Sequence, residues 1–276
     1  MPALTRQPCA ALAPFVQALH YSAGEQDRTS VETILPVAGT SLWVNLHEDE
    51  FRTWNGSVDE HPVRTAGAAF EGPRDRPTIV EIETGRAQAW AVLRPGRALT
   101  LTQTPVRDVV NHLTPLADLW GAPGDDVRGR LLAGAAPTGV LAAFEQVLLE
   151  QLRPIDPDPA VGYALDALDR GRRVADVAGD LGLMRKTFGR RFRRHVGLGP
   201  KRYARVQRFG RVLRAIEGTD EVNGADVAAR FGYCDQAHLD DDFRDLAGMT
   251  PTAYLRRRTS APHHVTTGRS DTARVI

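Results

Sequence analysis

At 276 residues, with 42% hydrophobic and 25% charged side chains, the chain has the length for two ordinary domains and the composition of a soluble globular protein. No apolar run approaches the roughly 20 residues needed to cross a bilayer, and the opening MPALTRQPCA lacks the charged-then-apolar pattern of a secretory signal, so a cytoplasmic location is expected. The net charge of +1 conceals a segregation: residues 1–153 carry 13 Arg and Lys against 18 Asp and Glu, a net of −5, while residues 154–276 carry 22 against 16, a net of +6.

Residues 1–30 are loosely patterned, with Phe15, Val16, Leu19 and Tyr21 suggesting one short element. From residue 31 to 93 the runs VETIL, SLWVNL, PVRTA, TIVEIE and AQAWAVL show alternation or β-branched and aromatic enrichment. Turn material such as Asn55-Gly56 and Thr84-Gly85 separates them. Short strands at this spacing predict a small antiparallel β sandwich or barrel. Trp43, Trp54, Phe70 and Trp90 have two readings, the wall of an apolar effector pocket or plain core, and no ligand-binding residue is assigned. His47 and His61 stand isolated, with no HxH pair, so no metal site is expected. Helical patterns follow at 106–113, 125–132 and 138–152, and three prolines within 153–159 mark an interdomain linker at 154–159.

Beyond the linker, Val161, Leu165 and Leu168 form a leading helix stopped at Gly171. In 174–203 the apolar residues Val174, Val177, Ala178 and Leu181 recur at helical spacing, Gly182 supplies a turn, and a second helix starts near Arg185 with Phe188 and Phe192 inward. Its outward positions are basic, which is the plan of a helix-turn-helix. Phe192, Gly197, Pro200 and Tyr203 return 51 residues later as Phe243, Gly248, Pro251 and Tyr254, and Val177-Ala178 return 50 later as Val227-Ala228. The unit is duplicated. A helix over 200–217 joins the copies, with Tyr203, Val206, Phe209, Leu213 and Ile216 along its inner side. The copies differ in charge. Residues 170–214 hold 15 basic side chains against Asp176 and Asp180, a net of +13, whereas 215–255 hold Arg230 and Arg244 against nine acids, a net of −7. The tail 259–276 is polar and aperiodic and is expected to be disordered.

The two repeats resemble the DNA-binding module of the AraC/XylS family of bacterial transcription regulators over about residues 160–258. Phe231-Gly232-Tyr233, Asp235-Gln236, Phe243 and Gly248-Met-Thr-Pro251 carry the most specific part of the match. The resemblance implies an all-α, seven-helix module with two helix-turn-helix units and a long central helix. It places Arg185, Lys186, Thr187, Arg190, Arg191 and Arg194 at the DNA from the first unit, with Gly189 leaving one base-reading position empty. From the second unit it places Gln236 and His238 in the groove beside Ala237 and Asp240, with Asp241 standing where the family usually has Arg. Residues 1–153 resemble the cupin-like β domain that precedes this module in some members, through Ile34-Leu-Pro36, Leu93-Arg-Pro-Gly96 and Asp118-Leu-Trp-Gly121.

The expectation is therefore a sequence-specific regulator whose first helix-turn-helix, about 174–196, supplies most of the affinity. The implied partners are double-stranded promoter DNA, RNA polymerase, a second copy of the chain and an unknown small-molecule effector. The alternative is a protein-interaction adaptor whose acidic second unit has weakened DNA binding. No catalytic residue or cofactor is expected: Cys9, flanked by Pro8 and Ala10, lacks the neighbours of an activated nucleophile, and it and Cys234 read as unpaired thiols.

Overall fold

The alternating runs become two antiparallel sheets in a computed structural model that describes residues 3–24, 28–84, 86–153, 155, 158–259 and 263–267. The strands are β1 (Ala3–Arg6), β2 (Val16–Ser22), β3 (Arg28–Ile34), β4 (Ser41–Asn45), β5 (Glu50–Trp54) and β6 (Val63–Ala66). They continue with β7 (Ala68–Glu71), β8 (Thr78–Thr84), β9 (Gln88–Leu93), β10 (Leu113–Pro115) and β11 (His264–Thr266). One sheet runs β1-β2-β9-β4-β7-β10 and the other β11-β3-β8-β5-β6. Strand parity assigns the faces of the first sheet. Leu42 and Val44 are fully buried against helices, and Phe70, paired in register with Leu42, lies in the same core. Trp43 and Trp90, in register with each other, take the opposite parity and look into the sandwich.

Five short helices brace the outer face of that sheet: α1 (Leu99–Thr102), α2 (Leu116–Trp120), α3 (Ala122–Asp125), α4 (Val127–Leu132) and α5 (Pro137–Gln151). In α5 the buried stripe is Leu141, Phe144 and Leu148, as the 3.6-residue period requires. The helix expected at 106–113 is instead a single 3₁₀ turn, Val106–Val109, followed by β10. Asn111 takes a left-handed conformation at φ 61°, which breaks the helix, and Leu113–Pro115 pairs with β7. Strands β1, β5 and β7 have no counterpart among the expected runs.

The remaining seven helices are α6 (Pro159–Asp169), α7 (Val174–Asp180), α8 (Arg185–Val196), α9 (Pro200–Ile216), α10 (Gly224–Phe231), α11 (Gln236–Ala247) and α12 (Pro251–Arg257). The repeat survives as geometry. Helices α7, α8 and α9 begin at 174, 185 and 200, and α10, α11 and α12 begin at 224, 236 and 251, offsets of 50, 51 and 51. Phe192 meets Tyr203 edge-on at 5.4 Å, and the equivalent Phe243 meets Tyr254 edge-on at 6.3 Å. Phe188, Phe192, Leu239 and Phe243 are buried core residues. Gly182, at φ 61°, closes the first turn in a conformation that costs glycine little. Of the proline-rich stretch, residues 154, 156 and 157 lie outside the described residues, and Asp158 and Pro159 already belong to the start of α6.

The tail expected to be disordered over 259–276 includes a strand. His264–Thr266 pairs with β3 as the edge of the second sheet, and Arg258 bridges to Val265. The rest of that stretch, 260–262 and 268–276, lies outside the described residues. The strand forms because β3 offers an unpaired edge and Val265 finds an apolar seat with Leu35 in the core of the helical module. Val265 is fully buried. Val265→Ala should therefore lower stability by about 2 kcal/mol, within the range of large-to-small core changes; a urea midpoint within error of the parent's would show that the seat is not part of the cooperative fold.

Candidate nucleic-acid interface

Helix α8 presents positive charge that nothing at its start offsets. Its N-cap is Met184, which is 78% exposed and makes no capping bond, and its first turn holds no acid. Arg185 and Lys186, both exposed, stand at the positive end of the helix dipole, the end where cations are disfavoured unless an outside anion offsets them. Arg190, Arg193 and Arg194 are exposed further along, and these five cations have no carboxylate partner among the described residues. Thr187 is half-buried. Gly189 is covered by its own helix: the Arg193 guanidinium nitrogens lie 3.8 and 3.9 Å from the point where a Cβ would stand. Arg193, an outward basic position of this helix that is not among the residues the resemblance places at the DNA, thus lies over the position that glycine leaves empty; an Arg one turn beyond a Gly was the available signal.

Arg191 is placed differently from its neighbours. Its guanidinium forks onto Asp158, Nε to Oδ2 at 2.9 Å and Nη2 to Oδ1 at 2.7 Å. Asp158 also caps α6 by accepting from the N–H groups of Ala160 and Val161. Burial opposes the charge on Asp158, but the Arg191 fork and the two N–H groups outweigh it and hold its carboxyl below the ordinary range.

The second unit presents less. Gln236, at the start of α11, folds across Gly224, its Cδ 2.6 Å from where a Cβ there would sit. His238 turns back on its own turn: Nδ1 accepts from the Cys234 N–H at 3.4 Å, and the ring stands edge-on to Tyr233 at 5.2 Å. Ala237 is exposed and Asp240 partly exposed, while the exposed Asp241 pairs with Arg244 at 3.0 Å.

Residues 177–257 match the helix-turn-helix domain family. A protein of Streptomyces lividans described as an AraC-like transcription regulator is 34% identical over 109 residues, 37% of this chain, and the match spans 34% of that relative's length. The C-terminal module is an AraC-type helix-turn-helix domain. Among solved structures, ToxT from Vibrio cholerae aligns with 92% of this chain and 98% of its own at 11% identity and a TM-score of 0.44. ToxT with a bound unsaturated fatty acid aligns with 85% of this chain and 96% of its own at 12% identity and a TM-score of 0.37. Similarity at that level carries no argument about this chain.

Within this AraC-type module part of the charge difference between the copies is absorbed internally. Asp242 of α11 is buried and receives Arg205 at 2.5 Å and Arg208 at 3.1 Å, both from α9. Asp245 receives Arg202 and Arg205. Three arginines counted in the +13 segment are therefore spent on two acids counted in the −7 segment. The basic excess that remains toward solvent on the recognition helices belongs to α8. The pairing of Arg191 yields a test. Asp158→Asn keeps the cap, since Asn caps as well as Asp, but loses the ion pair. At neutral pH the module should lose on the order of 1 kcal/mol, a modest figure because Arg191 is 40% exposed. The Asp158 contribution is complete above its ordinary value of 3.8 and disappears as pH falls through the lower folded value. Urea unfolding should then show a stability gap that is constant down to about pH 4 and closes below it; a gap that widens in acid would contradict the assignment.

Proposed function

We propose that the chain is a sequence-specific DNA-binding transcriptional regulator acting in the cytoplasm, in which residues 160–258 bind promoter DNA and residues 1–153 sense a small molecule. The observation that carries the reading is the run of unpaired cations on α8, set at an uncapped helix start. Arg185 and Lys186 at the N-terminal end are placed to reach base edges, where Arg grips guanine O6 and N7, and Arg190, Arg193 and Arg194 to neutralise phosphate. Arg191 serves as a strut, held by Asp158. Helix α11 contributes shape and Gln236, with Asp240 and Asp241 facing outward, so the first unit supplies most of the affinity. Helix α9, 17 residues and thus about 25 Å long, holds the two recognition helices as a rigid pair.

The sensory role rests on a cavity of about 610 Å³ between the two sheets, within the usual range for small-molecule sites. Its wall includes His263 and His264. These adjoin and belong to β11, whose His264 carbonyl accepts from the Thr259 N–H just beyond α12. An occupant would touch a segment fastened to the DNA-binding module, which is a physical route from ligand to DNA.

A DNA site selected from a random pool, followed by binding across a salt series, tests the proposal. Arg190→Ala should flatten the slope of log K against log salt by about 1, and Asp241→Lys should leave specific binding intact while tightening non-specific binding. If Arg190→Ala changes nothing and Asp241→Lys abolishes binding, the second unit is the main grip. If no sequence is enriched at all, the adaptor reading replaces this one.

A further inference from the structure

The cavity between the sheets has an aromatic face that is fixed before anything enters. Trp43 stacks on Trp90 at 5.1 Å and 15°, and Trp90 stacks on His20 at 4.9 Å and 17°. These contacts follow the strand register, in which His20, Trp90 and Trp43 are cross-strand neighbours. The Trp43 indole N–H donates to Glu71 Oε2 at 2.8 Å and to Ser41 Oγ at 2.9 Å, which sets the ring plane. Phe51, Val80 and Ile82 from the other sheet line the cavity as well.

Its charges are arranged in a particular way. Three guanidinium groups line it, and each already holds a carboxylate. Arg74 is on Glu71 at 3.0 Å, Arg52 on Glu81 at 2.6 Å and on Glu50, and Arg86 on Glu83 at 2.6 Å. A fifth lining carboxylate, Glu32, is held by His264 at 2.9 Å. His263 adds no cation, because burial pushes its ring down to about 4. Five carboxylates thus face three guanidinium groups. An entering carboxylate would have to break an existing pair and would add to the acidic excess. An entering cation would relieve that excess and meet the electron-rich face of Trp43 that is turned away from Trp90, while Trp90, stacked on both sides, backs it.

Building on the sensory reading above, we propose that this cavity binds a flat aromatic molecule carrying a positive charge, such as an aryl-alkyl ammonium, in preference to its carboxylate analogue. Calorimetry on the full chain with 2-(2-naphthyl)ethylammonium and with 2-naphthylacetate, free of DNA, separates the cases because the two probes share a ring and differ in charge. The ammonium should bind roughly tenfold more tightly or better. Glu81→Gln, which leaves the fold's apolar contacts in place and removes one negative charge from the wall while Arg52 keeps Glu50 and Glu48, should narrow that ratio by weakening the ammonium and strengthening the acid. Trp43→Leu should weaken the ammonium, with circular dichroism reporting whether that variant folds; if it does not, Glu81→Gln decides. Equal or tighter binding of naphthylacetate overturns the charge class while leaving a ligand-binding sandwich. Binding of neither probe overturns the proposal and removes the support for sensing, with the DNA-binding reading judged separately by its own salt series.

Discussion

A buried carboxylate organises the helical module. Asp242 is 3% exposed, and a carboxylate so placed is costly unless it is paired. Arg205 and Arg208 of α9 supply the pairing, and Arg208 also lies 4.0 Å over the Tyr233 ring. The residue 51 positions earlier, Arg191, is pinned in the same manner with the signs reversed, to Asp158 at the head of α6. In each repeat, then, the recognition helix is tied at the same helical position to the helix that leads its unit, once as cation to anion and once as anion to cation. The duplication kept the brace and inverted its polarity. That inversion contributes one charge to the basic copy and one to the acidic copy.

The two halves of the chain are not merely tethered. Gly197 ends α8 at φ 85°, and a Cβ there would stand 2.7 Å from Pro73 Cγ and 3.2 Å from the Val106 carbonyl oxygen. Only a residue without a side chain lets the end of the first recognition helix reach the 3₁₀ turn at Val106–Val109 this closely. Arg202, near the start of α9, donates to Asp75 at 3.1 Å, and Leu35, from the connection after β3, is buried among residues of the helical module. The front sandwich therefore grips the first unit and the central helix, the parts on which DNA affinity is proposed to depend.

Sequence disclosed the module well because its signals are local and repeated. Phe, Gly, Pro and Tyr at one fixed offset, with aliphatic residues at helical spacing, predicted helix starts within a residue or two. The sandwich was legible as a class, but β7, Ala-Ala-Phe-Glu, lacks β-branched residues, β5 begins within the charged stretch 47–50, and the helical pattern at 106–113 ignored the backbone reversal at Asn111. Whether Trp43, Trp54, Phe70 and Trp90 were wall or core could not be settled without register. Pairing Leu42 with Phe70 sends Phe70 to the core, and pairing Trp43 with Trp90 sends both to the cavity. Trp54 is buried, with its indole N–H on the Glu60 carbonyl oxygen. The candidate interface was legible as residue types, not as availability. Nothing in the spacing of Arg191 or His238 reveals that one is forked by an aspartate 33 positions away and the other folded onto its own turn.

The strand β11 carries a consequence for how the protein is made. The second sheet gains its edge from residues about 230 positions beyond the strand they pair with, so the sandwich stays open along β3 until the whole DNA-binding module has left the ribosome. Contacts of such long sequence separation form late, and domains otherwise tend to fold in the order they are synthesised. Completion of the front domain is thus tied to the synthesis of residues 264–266. A chain broken off before residue 263 would carry a bare strand edge, the feature by which β proteins are prone to associate, so incomplete products would tend to be removed as aggregates rather than persist as free DNA-binding or free sensing fragments.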